Sequence, residues 1–192
     1  MNRRAFVLGN GRSRIGAKLK KLKKRGTIYG CNALYREFEP DFLIAVDPKM
    51  IFEICEKNWQ LEHQVWTNPN SRFQKYQGLK LFKHPKGWSS GPTALHKAAT
   101  DGYKEIFVLG FDYFGVDNHF NNVYADTPNY KKSCDTATYY GNWMRQTETV
   151  FKEFQDIYFY RVVGPDTRIV SEWSQLNNLR QITYEEMYDM IG

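Results

Sequence analysis

The tightest constraint on this chain is the stretch Phe6-Val7-Leu8-Gly9-Asn10-Gly11-Arg12-Ser13-Arg14. Three apolar residues that break into Gly-Asn-Gly read as a buried parallel strand whose C-terminal end opens at once into a turn. Glycine lets the backbone come close to a ligand, and a helix starting at about Ser13 would aim its free N–H groups into that turn. The outline is that of an anion site. The glycines of Gly9 to Gly16 do not fit Gly-x-Gly-x-x-Gly, and no Gly-Lys-Ser/Thr follows. An ordinary strand-to-helix turn is therefore the competing reading.

The same pattern recurs downstream. Thr27-Ile28-Tyr29-Gly30-Cys31 reads as a second strand with Asn32 at its exit, and Phe42-Leu43-Ile44-Ala45-Val46 as a third that leads into Asp47-Pro48. Asn32 suits a ribose or base edge, because an amide both donates and accepts, and equally suits a plain turn. Asp47 either joins a ligand or caps the helix over residues 49–57 that Pro48 opens. Ligands in open parallel sheets bind outside strand exits, and Asn10, Asn32 and Asp47 are short polar residues at three successive exits. Gln64 to Thr67 and Leu79 to Phe82 are shorter strands. Gly87-Trp88-Ser89-Ser90-Gly91-Pro92 then opens a small-residue helix whose start, with Ser89, Ser90 and Gly91, is a second candidate anion site. Glu105-Ile106-Phe107-Val108-Leu109 is another buried strand, and Gly110-Phe111-Asp112 leaves it.

Residues 116–141 show no convincing periodicity but are rich in Asn and Tyr and contain His119, Tyr124 and Tyr130. A structureless stretch of this length inside a compact domain is expected to be a lid or binding loop, or to form subunit contacts in a homo-oligomer. A helix over 142–155, with Trp143, Thr147, Val150, Phe151 and Phe154 toward the core, and a strong strand over 157–163 follow. The tail closes on a short helix with capping-box spacing at Thr183-Tyr184-Glu185-Glu186. The expectation is one α/β domain over 1–192, built as a Rossmann-like, mostly parallel sheet of about six or seven strands flanked by helices.

Composition narrows the function classes. An aromatic fraction of 16% excludes a disordered chain, and no apolar run reaches membrane-spanning length. Cys31, Cys55 and Cys134 are odd in number and show no Cys-x-x-Cys spacing, and the four histidines are scattered. Neither a disulfide framework nor a metal site is expected, and the cytoplasm is the expected compartment. The net charge of +6 looks like a nucleic-acid signal until it is divided along the chain. Residues 1–25 hold ten Lys/Arg and no Asp/Glu, which leaves 17 basic against 21 acidic residues elsewhere. The excess is local. Ile15, Leu19 and Leu22 at helical spacing predict a helix with one buried stripe and a solvated lysine face, and nucleic acid is not the expected partner.

Gly9-Asn10-Gly11-Arg12-Ser13, Cys31-Asn32, Asp47-Pro48, Ser89-Ser90-Gly91 and Gly110-Phe111-Asp112-Tyr113-Phe114 together resemble the bacterial sialyltransferases of glycosyltransferase family 42. They also resemble the related MptE-like 6-hydroxymethylpterin diphosphokinases. The likeness covers roughly residues 5–115. It implies a nucleotide or nucleotide-sugar, such as a CMP-sugar, as substrate, a carbohydrate acceptor, and no obligatory metal or other cofactor. Asn10, Gly11 and Ser13, with Arg12 between them, would face the phosphate and sugar, and Asn32 the base. Asp47 would lie near the transferred sugar, Ser89, Ser90 and Gly91 would line the donor, and Asp112 would stand beside it. The resemblance implies a lid histidine as base and lid tyrosines as donors to the leaving phosphate. His119 is the lid's one histidine and lies earlier than the family pattern, while Phe114 stands where a tyrosine is expected, so that Tyr124 or Tyr130 would have to replace the lost hydroxyl. The diphosphokinase alternative would need magnesium, with Asp47 and Asp112 as its carboxylates. A third alternative is a catalytically degenerate nucleotide-binding or virion-associated interaction protein.

Overall fold

The computed structural model describes residues 4–192; Arg3, counted in the basic run above, lies outside them. The chain forms β1 (Arg4–Leu8), α1 (Leu19–Lys23), β2 (Thr27–Cys31), β3 (Phe42–Ile44), α2 (Pro48–Glu56), β4 (Val65–Thr67), β5 (Lys80–Leu81) and α3 (Ser90–Thr100). After these come β6 (Glu105–Leu109), α4 (Gly141–Glu153), β7 (Tyr158–Val163), β8 (Leu179–Thr183) and α5 (Tyr184–Ile191). All eight strands pair in parallel in the order β5-β4-β3-β2-β1-β6-β7-β8. The architecture is the expected Rossmann-like α/β sheet. The extra strand is β8, whose Leu-Arg-Gln-Ile-Thr sequence buries only Leu179 and Ile182 at the sheet edge.

Alternation along the central strands sends side chains into two cores. Ala5, Val7, Ile106, Val108 and Phe159 pack under α3, α4 and Trp173. Phe6, Leu8, Phe107, Leu109 and Val162 pack against Leu22 of α1, Ile51 and Ile54 of α2, and Met187 of α5. Register partners Phe6, Phe107 and Tyr160 stack in a row on this second face, with centroids 5.3 and 4.8 Å apart. Such pairs add to the burial of their surface.

The first connection differs from the expected helix. Arg12–Gly16 forms a 3₁₀ turn, Ala17 is extended with ψ of 127°, and only then does α1 begin. That break shifts the helical phase. Ile15 ends up 65% exposed and Arg14 only 4% exposed, the reverse of the predicted stripe. Arg14 turns inward because Glu37 and the Tyr124 hydroxyl lie there to receive its guanidinium, at 3.0 and 3.1 Å. Among the described residues no helix is long and apolar enough to cross a membrane.

Candidate functional site

β1 has β2 on one side and β6 on the other. The helices that follow β1 and β3 pack on one face of the sheet, and those that flank β6 pack on the other. Connections leaving in opposite directions part at the C-terminal ends of β1 and β6, which is where open parallel sheets bind ligands. Beyond that point the chains stay pressed together: the Gly9 N–H donates to Leu109 O at 2.8 Å and the Gly11 N–H to Gly110 O at 2.9 Å. A Cβ on Gly9 would lie 2.6 Å from Gly110 O, and Gly110 itself has φ of +71°. The glycines legible in the sequence are thus needed for a close backbone crossing.

A crevice of about 630 Å³, including its open mouth, lies above this crossing. Its polar side carries Asn10, Asn32, Ser89 and Ser90 with Gly91, and its apolar side Phe111, Tyr113, Tyr140 and Trp143. Asn10 donates through Nδ2 to Cys31 O at 3.3 Å and the Tyr130 hydroxyl at 3.4 Å. Its Oδ1 is buried and accepts no hydrogen bond. A buried acceptor without a partner costs on the order of 1–3 kcal/mol. Asn32 holds a left-handed φ of +51° and accepts from the Ser90 hydroxyl at 2.8 Å, while Ser90 Oγ accepts from the Val46 N–H at 3.1 Å. The second strand exit is thereby tied to the start of α3, whose N-terminus opens on the crevice.

The opposite wall is a polar partition. The Asp112 carboxylate accepts from the Ser13 N–H at 3.0 Å, from the Ser13 hydroxyl and from Asn121 Nδ2 at 3.0 Å. Asn121 in turn accepts from the Arg12 N–H at 2.9 Å and donates to Phe114 O at 2.9 Å. Beyond this partition a wider cleft is lined by Arg12, Ser13, Phe114, Asp117, Asp166, Arg168 and Tyr184, and it shares Asp112 and Asn121 with the crevice. Asp112 is the one carboxylate that borders both.

Burial raises the Tyr113 and Tyr140 hydroxyls above their ordinary range, and it pushes the Cys31 thiol up to about 12. Cys31 lines the crevice but stays a neutral thiol near pH 7, which is not a nucleophile. Among the described residues no three His, Cys, Asp or Glu side chains converge to hold a metal.

The segment 116–141 lies across the exits of β1 and β2. Its Val123 N–H donates to Asn10 O at 2.7 Å, and Arg36 donates to Thr127 Oγ1 at 2.8 Å and Pro128 O at 2.9 Å. Glu53 gathers this contact, accepting from Arg36 Nε at 2.7 Å and from Tyr35 and Asn129 at 2.6 Å. Burial opposes its ionisation, yet these bonds hold the Glu53 carboxyl down to about 2.

Of the residues singled out by sequence, Asn10, Gly11, Asn32, Ser89, Ser90, Gly91 and Asp112 are brought to one crevice. Arg12 and Ser13 border the second cleft instead. Three residues lie elsewhere. Asp47 accepts from the Lys49 N–H at 2.8 Å, caps α2 and lines neither cleft. Tyr124 is buried beside Arg14 and Glu37, held there by the inward turn of Arg14. His119 is exposed, with its backbone in bridges to Val116 and Thr136, and lines neither cleft. The aromatic wall was not anticipated, although Phe111 and Tyr113 directly follow a strand exit; Tyr140 and Trp143 read as lid and core. No family model, curated protein or solved structure matches the chain.

Proposed function

We propose that the crevice binds a nucleotide or nucleotide-sugar and that the protein is a glycosyl-transferring enzyme of the sialyltransferase-like kind. The observation that carries the reading is a crevice at the topological switch of a parallel sheet, lined by the start of α3 and by Asn10, whose buried Oδ1 has no hydrogen-bond partner. In this reading the base or sugar lies against Phe111, Tyr113, Tyr140 and Trp143, with Asn10 and Asn32 reading its polar edge. The phosphate sits at the N-terminus of α3, where free N–H groups and the helix dipole favour negative charge. The acceptor enters from the second cleft. Its hydroxyl oxygen attacks the anomeric carbon as the bond to phosphate breaks, the nucleoside phosphate leaves, and Asp112 takes the hydroxyl proton once one of its three hydrogen bonds is released. The resemblance of residues 5–115 to glycosyltransferase family 42 supports the same assignment.

A second reading, binding without turnover, is favoured by two observations: the Asp112 carboxylate already accepts three hydrogen bonds, from Ser13 and Asn121, and His119 lies outside both clefts. The diphosphokinase alternative has less support, because Asp47 is engaged as a helix cap and borders neither cleft that Asp112 lines.

Thermal shift against CMP, CMP-sialic acid, UDP- and GDP-sugars, ATP with magnesium, and RNA tests the reading. A cytidine ligand at a hundred times its Kd should stabilise the protein by about 2.7 kcal/mol. Failure of every nucleotide to stabilise it would defeat the proposal. Turnover of CMP-sialic acid, lost in Asp112→Asn and unchanged in His119→Ala, separates the enzyme from the binding module; a rate that falls with His119 instead would remove Asp112 as base.

A further inference from the structure

Arg161, on β7, is 1% exposed and lies behind the wall that the crevice and the second cleft share. Its Nε donates to Phe111 O at 2.9 Å and its Nη2 to Asp112 O at 3.3 Å. Its Nη1 donates to Arg168 O at 3.0 Å and Gln181 Oε1 at 2.7 Å. Every acceptor is a neutral carbonyl. Among the described residues no carboxylate forms an ion pair with this guanidinium, and the Asp112 carboxylate is taken up by Ser13 and Asn121. Buried charges are ordinarily paired, because an isolated one is expensive to desolvate. Burial pulls the Arg161 pKa below its ordinary value, yet an arginine keeps its proton in proteins. One buried positive charge, offset only through space by the Asp112 carboxylate and the Tyr113 ring, therefore stands in the wall behind Phe111, Asp112 and Tyr113, all of which line the crevice.

A structural role alone does not call for a cation at this position. Neutral donors would satisfy four carbonyl oxygens without the desolvation cost. What the charge adds is a field that acts across the wall, and buried charges are screened by salt far less than surface ones. We propose that Arg161 is a specificity-determining residue that acts through this field: it makes the crevice select phosphorylated ligands over their neutral nucleosides, without touching them. The assignment rests on the nucleotide reading of the crevice given above. It goes beyond that reading by placing the preference for anionic ligands in a residue that lines neither cleft.

The test compares ligands that differ only in charge. Cytidine, CMP and CDP, and in parallel adenosine, AMP and ADP, are titrated calorimetrically into the wild-type protein, Arg161→Gln and Arg161→Lys. Arg161→Gln should leave nucleoside affinity nearly unchanged and weaken binding by roughly tenfold for each added phosphate charge, as expected for one unit charge acting over about 10 Å of protein. Arg161→Lys, which keeps the charge and loses the fork, should restore the ratio between nucleotide and nucleoside. Equal weakening of nucleoside and nucleotides in Arg161→Gln would mean that Arg161 only holds the turn after β6, and would overturn the assignment. If Arg161→Gln fails to fold, the lysine variant decides: a preserved ratio supports the field, and a collapsed ratio refutes it. A wild-type protein that binds neither series fails at the nucleotide reading itself and takes this assignment with it, whereas a wild type that binds with an unaltered ratio in Arg161→Gln defeats the assignment alone.

Discussion

Asn10 and Asp47 occupy the same formal position, a short polar residue at the C-terminal exit of a parallel strand, yet the sheet uses them in opposite ways. Asp47 spends its carboxylate on the Lys49 N–H and closes the start of α2. Asn10 lines an open crevice, and its buried Oδ1 has no hydrogen-bond partner. The difference lies in the neighbours. β3 sits inside one half of the sheet, where its helix folds straight back onto the same face as its neighbours' connections. β1 sits where the winding reverses, so the chain after β1 and the chain before α3 approach from different sides and leave room between them. A polar residue at a strand exit is therefore informative about ligands only when its place in the strand order is known.

Three perturbations sharpen this contrast, taken from the largest expected effect. Gly11→Ala places a Cβ 2.5 Å from the Asp112 carboxyl and 2.7 Å from Gly110 O, although Gly11 has an ordinary φ of −63°. The clash is with packing, so the partition must open; stability should fall by about 1–3 kcal/mol and nucleotide stabilisation should vanish, both read by thermal denaturation. Asn10→Ala removes the unpartnered acceptor together with two long hydrogen bonds. It should weaken nucleotide binding by about ten- to a hundredfold while shifting the melting temperature of the free protein little, and a binding curve identical to wild type would detach the crevice from Asn10. Third comes the anchoring of the 116–141 segment. The Glu53 carboxyl is depressed from 4.5 to about 2, so its contribution is full above the unfolded value and is lost as pH falls from about 4.5 toward 2. Glu53→Gln should flatten the melting temperature against pH across that window; a parallel profile would deny Glu53 its anchoring role.

These effects also separate what was legible in the chain from what was not. Apolar runs ending in glycine or a short polar residue announced the parallel sheet, whereas Gly9 and Gly11, read as an approach to a ligand, serve a close backbone crossing with Gly110 that the sequence did not disclose. β8 escaped because this edge strand buries only Leu179 and Ile182 and carries Arg180 and Gln181 between them, which gives neither an apolar run nor a period of two. The first helix was misplaced because Ile15, Leu19 and Leu22 fit a helical period, while the pull of Glu37 and Tyr124 on Arg14 is a tertiary effect that spacing does not encode. Tyr140 and Trp143 lie 31 and 34 residues beyond the end of β6 at Leu109, and nothing local marks them as the wall of the crevice that Asn10 also lines. His119 lies outside both clefts for the converse reason. Its residue type suited the chemistry, but the bridges to Val116 and Thr136 fix its backbone at the surface.

Asp47→Ala gives the smallest effect and tests the comparison from its other side. Loss of a side-chain N-cap costs about 1 kcal/mol, and Pro48 at the first helical position, which keeps its preset φ, limits fraying of α2. The melting temperature should drop by a few degrees, with nucleotide affinity and any turnover unchanged. If affinity falls along with stability in Asp47→Ala but not in an equally destabilised variant such as Ile54→Val, from the core beneath the same helix, then Asp47 reaches the ligand after all. The exits of β1 and β3 would then belong to one extended site, and the winding reversal would not be what sets Asn10 apart.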